Sequence, residues 1–130
     1  MNADGFLERT NSLTAGIIGA VQRVSTALGC GFLEKVYENA LRVELGHRRF
    51  FVEQQEAIDV RYRGAIVGQY VADLVVERTV VVELKAASAI DRIHEAQCMN
   101  YLRATGHRTC LLLNFDRPRL DVRRIVLGLQ

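Results

Sequence analysis

The sequence lacks the features that mark several classes of protein. Its cysteines, Cys30, Cys98 and Cys110, are odd in number and include no CxxC pair, which indicates neither a disulfide framework nor a zinc site. No apolar stretch approaches the roughly 20 residues that span a bilayer. The first residues also lack the basic and apolar regions of a secretory signal. We therefore expect a cytoplasmic protein with no membrane association.

A strong excess of positive charge is also missing. The formal net charge is +2, so bulk charge does not indicate nucleic-acid binding. Arginine supplies nearly all of the basic charge, in small clusters, and arginine suits bidentate contact with phosphate. A solvated surface is the alternative interpretation of these clusters, which comprise Arg48 and Arg49, Arg61 and Arg63, and Arg117, Arg119, Arg123 and Arg124.

The chain has the size and composition of one globular domain over residues 1–130. It is 49% hydrophobic and 25% charged, and it contains no repeat, low-complexity segment or linker. At this length it can bury a genuine core.

Helical periodicity dominates the first third of the chain. Leu13, Ile17, Val21, Val24 and Leu28 recur at helical spacing, with Asn11 or Ser12 as a candidate N-cap. The glycines of the Gly29-Cys-Gly31 segment then end this helix. A second amphipathic helix is predicted from about Phe32 to Arg48.

After Phe50 the pattern becomes that of strands. Residues 51–62 and 65–76 predict a hairpin around Arg63-Gly64, and residues 80–85 predict a third strand. Ser88-x-x-Asp91 resembles a capping box that opens a helix ending at Gly106. A buried strand over 109–115 and an edge strand over 122–127 follow. The order α-α-β-β-β-α-β-β predicts an α/β fold with a mixed sheet flanked by helices.

Three ionisable residues interrupt two of these apolar strands. Asp73 lies within the second predicted strand, and the third strand ends in Glu83-Leu-Lys85. Aspartate is depleted in strands, and an unpaired buried charge is costly. Glu83 and Lys85 share one strand face, about 7 Å apart, because side chains alternate along a strand. A solvated strand end with a weak ion pair is the other interpretation of this pair.

The two carboxylates come together only in one register of the turn between their strands. A two-residue loop would pair Asp73 with Val82 and turn Glu83 to the opposite face. A three-residue loop, Glu77-Arg-Thr79, pairs Val76 with Val80 and Asp73 with Glu83. We predict this odd register or an equivalent bulge, although the loop contains no Gly or Asn.

Two carboxylates and a lysine provide the groups needed to bind a divalent cation and hydrolyse a phosphodiester. Mg²⁺ or Mn²⁺ would bind Asp73 and Glu83, with the backbone carbonyl of Leu84 as a possible third ligand. The cation would lower the pKa of a water molecule. Lys85 would orient that water or stabilise the transition state.

Two helical residues extend this candidate site. Gln97 recurs at helical spacing with Ile90, Ile93, Tyr101 and Ala104, which predicts that it faces the sheet near the acidic cluster. A packed glutamine bonded to backbone is the alternative. Glu34, by residue type alone, is a first-turn glutamate that the helix dipole favours.

The ordered combination of motifs resembles the GxxExxY protein family, a branch of the PD-(D/E)XK, restriction-endonuclease-like superfamily. The similarity begins at Gly31-x-x-Glu34-x-x-Tyr37 and continues through Tyr70-x-Ala-Asp73 and Val82-Glu-Leu-Lys85. It then includes His94-Glu-Ala-Gln97 and Leu113-Asn-Phe115, and so covers about residues 12–127.

The resemblance implies roles for five residues. Asp73 and Glu83 would be metal ligands, and Glu34 would hold metal-bound water or a second ion. Lys85 would be the catalytic lysine, and Gln97 an accessory catalytic residue near the scissile phosphate. Tyr37 and Tyr101 would pack against the site and not act in it.

These observations predict a metal-dependent nuclease that hydrolyses phosphodiester bonds by metal-activated water. DNA is favoured over RNA by analogy with the superfamily, and a homodimer or a protein partner could complete the groove of so small a domain. The alternative is a non-catalytic module that keeps the fold and binds nucleic acid or protein.

Overall fold

A computed structural model describes residues 3–87, 90–116 and 120–128 of the chain. The elements are α1 (Ala3–Leu28), α2 (Glu34–His47), β1 (Val52–Tyr62), β2 (Ala65–Val76), β3 (Val80–Lys85), α3 (Arg92–Thr105), β4 (Thr109–Asn114) and β5 (Asp121–Val126). Their order is α-α-β-β-β-α-β-β, which confirms the predicted α/β fold and the predicted boundaries of β2 and β3.

The five strands form one mixed sheet in the order β1-β2-β3-β4-β5. Neighbouring strands are antiparallel except for β3 and β4, which are parallel and joined by α3. Parallel neighbours need such a crossover. The predicted edge position of the last strand is confirmed.

The sheet separates two apolar cores. The first core lies against α1 and α2 and contains Ile17, Tyr37, Leu41 and the even-numbered residues 80, 82 and 84 of β3. The second core lies against α3 and contains Val81, Cys98, Tyr101, Leu102 and Leu112. The odd-numbered residues of β3 therefore point toward α3, as strand alternation requires.

The β1–β2 hairpin changes face half-way along its length. Leu74 of β2 belongs to the first core, whereas Ala72 belongs to the second, although residues two apart normally share a face. Gln55 on β1 lies opposite Asp73, between the pairs Gln54–Leu74 and Glu56–Ala72, and has φ 55°. The hairpin therefore twists at Gln55 and Asp73, and its distal half packs toward α3.

Three predictions of helix ends and faces were wrong. The first helix begins at Ala3, so Asn11 and Ser12 lie inside it and do not cap it. Residues 3–10 contain no proline, so this segment can continue the helix toward the N-terminus. The N-cap of α3 is Asp91, whose carboxylate accepts from the backbone N–H groups of Ile93 and His94. Ser88 lies outside the described residues.

The face of α3 also differs from the predicted one. Gln97 and Ala104 are exposed, as is Ile93, whereas Cys98, Tyr101 and Leu102 are buried against the sheet. Tyr101 belongs to two sets of residues at helical spacing, one with Gln97 and Ala104 and the other with Cys98 and Leu102. The sheet contacts the second set. That set buries larger apolar groups, so burial favours it.

None of the helices in the described ranges combines the length and apolarity needed to cross a bilayer. The three cysteines are all free, with Cys30 exposed and the other two buried.

Candidate active site

The carboxyl groups of Asp73 and Glu83 lie together where β2 and β3 separate. The ladder between these strands runs from Val76–Val80 to Leu74–Val82 and stops there. Beyond it, the backbone N–H of Asp73 donates to Glu83 Oε1 over 3.3 Å, and the N–H of Leu84 donates to Asp73 Oδ2 over 2.9 Å. The side chains thus bind backbone groups that the ladder no longer pairs, and the predicted proximity is confirmed.

The three-residue turn that produces this register has the predicted length. Val76 pairs with Val80, and Thr79 N–H donates to the Val76 carbonyl over 3.0 Å. Glu77 and Arg78 both have φ 52°, the left-handed region that glycine or asparagine usually occupies. The left-handed conformation costs roughly 1 kcal/mol for each residue other than glycine. The register of β2 on β3 is therefore stabilised by packing of the strands and not by the conformational preference of the turn residues.

Burial and like charge raise the pKa values of this carboxyl pair. Glu83 is only 6% exposed, and burial first, then the neighbouring Asp73, raise its pKa to about 9. Burial also raises the pKa of Asp73, against the hydrogen bond from Leu84. Two acids that share a desolvated site resist simultaneous ionisation. The pair therefore shares a proton more readily than it carries two negative charges.

Lys85 follows on the same strand and face as Glu83. Its backbone carbonyl accepts from Phe115 N–H over 3.1 Å, so the end of β3 is fixed to the end of β4. None of the ion pairs among the described residues includes Lys85. Its positive charge opposes the rise that burial causes in the pKa of both Glu34 and Asp73. The ammonium group is thus close to the acidic residues without being neutralised by direct contact.

Glu34 is the first residue of α2 and reaches the same region. Its pKa is raised, chiefly by burial and also by Asp73, while Lys85 and hydrogen bonding to the Ala86 backbone oppose the shift. Glu34 therefore lies beside the end of β3. The structure brings Glu34, Asp73, Glu83 and Lys85 into one electrostatic neighbourhood from three separate elements.

A buried glutamate that the sequence analysis did not select connects α2 to this site. Glu38 is 3% exposed and accepts from Lys35 Nζ at 2.9 Å, Gln54 Nε2 at 2.6 Å and Gln55 Nε2 at 3.0 Å. Gln55 Nε2 also reaches Asp73 Oδ1 at 3.4 Å. Burial alone would raise the pKa of Glu38, but these donors outweigh it and lower the pKa. Glu38 thus orients the amide that contacts Asp73.

Asn114 is the second residue that the sequence analysis missed. It is fully buried and pairs with Lys85 in the parallel ladder. Its Oδ1 accepts from Ala87 N–H over 3.3 Å, and its Nδ2 donates to the Ala87 carbonyl over 2.8 Å. The side chain therefore holds the segment that follows Lys85. One polar residue ending an apolar strand was the available signal for it.

Gln97 is not buried among the acidic residues, in contrast to its predicted orientation. It is exposed on α3, one position from the buried Cys98. His94 has a structural role, because its Nδ1 accepts from Asp91 N–H at 3.3 Å and completes the capping box. Tyr101 also packs, donating its hydroxyl to the Val71 carbonyl over 2.7 Å.

A family model described as the PD-(D/E)XK nuclease superfamily matches residues 11–125, nearly the whole chain. The chain belongs to this superfamily. No protein of curated function is significantly similar to it.

Solved structures support the same fold. The crystal structure of SSO0001 is similar with a TM-score of 0.57 at 17% identity, over 74% of this chain and 50% of that one. An alkaline exonuclease from Laribacter hongkongensis is similar with a TM-score of 0.54 at 15% identity, over 72% of this chain and 56% of that one. The chain thus spans about half the length of each, and the likeness shows the restriction-endonuclease-like fold.

Nucleases of the PD-(D/E)XK superfamily generally use divalent metal ions, and the residues present fit such an ion. Among the described residues, no three His, Cys, Asp or Glu side chains form a complete metal cage. Mg²⁺ does not require one, since it binds through one or two carboxylates and keeps several waters. The adjacent carboxyls of Asp73, which is half-buried, and Glu83, which is buried, have the chemistry of such a set.

Several arginines of the predicted clusters are engaged by other side chains within the part of the chain that the structure describes. Arg123 contacts Glu95 and Asp121, and Arg124 donates to Asn11 Oδ1 over 2.7 Å. Arg48 pairs with Glu44 at 2.9 Å. Arg117 and Arg119 lie outside the described residues, so the predicted cluster at 117–124 remains untested as a unit.

Proposed function

We propose that this protein is a divalent-metal-dependent nuclease of the GxxExxY branch that hydrolyses phosphodiester bonds, with DNA as its substrate. The observation that carries the proposal is that the half-buried Asp73 and the buried Glu83 each accept a hydrogen bond from the backbone of the other's strand, beside Lys85. A purely structural strand end does not require two acids to share a desolvated position.

Asp73 and Glu83 would hold Mg²⁺ or Mn²⁺. When bound, the cation supplies positive charge for the phosphoryl oxygens and lowers the pKa of a water molecule. The backbone N–H of Leu84 keeps Asp73 oriented, and the amide of Gln55 contacts its other oxygen. These contacts fix the ligand geometry before the substrate arrives, which is how outer groups support metal ligands.

The other three residues act on the substrate in this proposal. Lys85 stabilises negative charge on the phosphoryl group or orients the attacking water, since no carboxylate of the described residues forms an ion pair with its ammonium. Glu34 positions a water molecule or a second ion from the first turn of α2. Gln97, being exposed on α3, contacts the substrate near the scissile phosphate and not the acidic pair.

The preference for DNA and the need for partners rest on further arguments. Membership of the superfamily supports a nucleic-acid substrate, and arginines provide phosphate donors. A homodimer or a protein partner would extend the small binding surface. The exposed apolar side chains at the end of the hairpin, Tyr62, Ile66 and Val67, support this, because such patches mark interaction surfaces. A cytoplasmic location remains part of the proposal.

The proposal is tested by calorimetry and cleavage with the same proteins. Mg²⁺ and Mn²⁺ are titrated into wild type, Asp73→Asn and Asp59→Asn, alone and with a non-cleavable DNA duplex. Asp59 is the matched control because it is an exposed aspartate on the same hairpin, bound by Gln69 Nε2 at 2.8 Å. We expect a stoichiometric metal signal and DNA cleavage for wild type and Asp59→Asn, both lost in Asp73→Asn.

Binding of DNA without metal binding or cleavage by wild type would contradict the nuclease proposal. That result would favour the alternative of a non-catalytic module that retains the fold.

A further inference from the structure

A small apolar patch is exposed at the beginning of α2. Phe32 is 47% exposed, Leu33 is 79% exposed and Val36 is 38% exposed. Phe32 and Leu33 are neighbours in sequence, and Val36 lies one turn beyond Leu33, to whose carbonyl its N–H donates over 2.9 Å. We refer to these three residues as the apolar patch.

Leu33, within this patch, is an unfavourable residue for the stability of α2. Leu33 is the N-cap of α2 and provides no side-chain hydrogen bond to the helix. Ser, Thr, Asp and Asn are strongly preferred there over leucine. The side chain of Leu33 also gains almost nothing from burial. Positions that break a local rule in this way are expected where function requires the residue.

The segment that presents the patch is held firmly. The hydroxyl of Tyr37 donates to the Gly29 carbonyl over 2.6 Å and accepts from Phe32 N–H over 3.2 Å. Its buried ring stacks on Phe115, with centroids 4.5 Å apart and planes at 10°. Gly29 and Gly31 have φ of 69° and 105°, which allows the chain to turn between α1 and α2.

The ring of Phe32 is oriented by this arrangement. It meets the ring of Tyr37 edge-on, with centroids 6.1 Å apart and planes at 78°, and leaves about half of its surface to solvent. An aromatic ring held at one edge and open elsewhere is preorganised to receive another flat apolar group.

The patch borders the candidate active site. Leu33 directly precedes Glu34, whose carboxylate is influenced by Lys85 and Asp73 and by the Ala86 backbone. A phosphodiester bound at that site carries a nucleobase on each side, and a nucleobase has flat π-faces. Three side chains are too few for a stable protein partner, since such interfaces bury about 800 Å² on each side. A single base is of the right size.

We infer that Phe32 and Leu33 form a stacking platform for the nucleobase next to the phosphodiester, and so select substrates with an unstacked base there. The inference rests on the proposed nuclease function and deepens it. Inside a duplex both faces of a base are already stacked on neighbours. A strand end, a gap or a single-stranded tail offers a free face, and stacking on aromatic side chains tolerates any sequence.

The test uses oligonucleotides with 2-aminopurine at successive positions, because the fluorescence of this base falls when it stacks. Phosphorothioate linkages prevent hydrolysis, so binding in Mg²⁺ is measured separately from cleavage. Single-stranded tails on a duplex are compared with blunt duplexes. The proteins are wild type, Phe32→Ala, Phe32→Leu and Val43→Ala. Phe32→Leu keeps an apolar contact with Tyr37, and Val43 is an exposed apolar control on α2, the helix that follows Phe32.

We expect wild type and Val43→Ala to quench one position in the tail and to prefer tailed over blunt DNA. Both Phe32 variants should lose the quenching and bind tailed DNA about tenfold more weakly, the loss expected for one stacked base. Equal binding and quenching by the Phe32 variants would overturn the platform while leaving the nuclease function intact. Failure of wild type to bind any of the oligonucleotides would overturn both.

Discussion

Asp73 and Glu83 are linked by reciprocal hydrogen bonds between backbone and side chain. The backbone N–H of Asp73 donates to the carboxylate of Glu83 at 3.3 Å. In return, the carboxylate of Asp73 binds the N–H that follows Glu83, that of Leu84, at 2.9 Å. Each acid therefore replaces a ladder hydrogen bond that the separating strands have lost. This arrangement holds both carboxyls in place, and the raised pKa of Glu83 means that the pair keeps a proton at neutral pH instead of carrying two negative charges.

Replacing one of these acids by its amide should stabilise the metal-free protein. Glu83→Gln retains an oxygen for Asp73 N–H and removes a buried acid whose pKa burial and Asp73 raise to about 9. We expect the free energy of unfolding at neutral pH to increase by about 1–3 kcal/mol. Urea unfolding measures it. Adding Mg²⁺ should stabilise wild type but not the variant, and a less stable variant would argue that the acid is structural.

Lys85→Met should remove cleavage without removing the fold. The ammonium of Lys85 makes no ion pair among the described residues, so its loss leaves no carboxylate orphaned by direct contact. We expect kcat to fall by about 100-fold or more, with the unfolding midpoint within a few degrees of wild type. Metal binding by calorimetry is the control. A variant that cleaves normally would remove Lys85 from the mechanism.

Glu38→Gln should destabilise the protein in a pH-dependent way. The buried carboxylate accepts from Lys35, Gln54 and Gln55, and an amide oxygen cannot serve all three. We expect a loss of about 2 kcal/mol at pH 7, within the range for charge-assisted hydrogen bonds.

The pH dependence of that loss follows from the lowered pKa of Glu38. Because folding favours the ionised form, its stabilisation is present above the unfolded-state pKa and is lost as pH falls through the folded-state pKa. The difference between variant and wild type should therefore shrink on acidification. Urea unfolding at pH 7 and at about pH 3 measures it, and a difference that grows in acid would refute this assignment.

Tyr37→Phe should loosen the segment that precedes α2. The hydroxyl links the Gly29 carbonyl to Phe32 N–H, and removing it leaves both groups without that partner. We expect a destabilisation of about 1–2 kcal/mol and, because the backbone of Phe32 loses its support, weaker binding of tailed DNA. Tyr70→Phe, which keeps the ring contact of Tyr70 with Tyr101, is the control and should change neither quantity.

Gln97→Ala should show whether Gln97 contacts the substrate or packs within the fold. Gln97 is exposed, so the free energy of unfolding should change by no more than about 0.5 kcal/mol. We expect reduced cleavage with unchanged metal binding. Unchanged cleavage would show that the exposed position is only a solvated surface, whereas a large loss of stability would restore the packed-glutamine interpretation.

Much of the framework could be predicted because it depends on local patterns. The runs of residues 65–76 and 80–85 have the composition of strands, and their boundaries were predicted correctly. Even the turn length at 77–79 followed from the requirement that two acids share a site. The choice of face on α3 could not be predicted in the same way, because stripes through Leu102 and through Gln97 both fit helical spacing.

The sequence by itself determined the order of elements and the residue types that end β2 and β3, because hydrophobic period and residue propensity act over a few neighbours. Only the tertiary structure decided that Glu38, Gln55 and Asn114 would support the site. These three belong to α2, β1 and β4, distant in sequence from the residues they hold. Their hydrogen bonds form only when the two cores bring these elements together. Burial makes an unpaired polar group costly, so each of these side chains is stable there only when it is hydrogen-bonded.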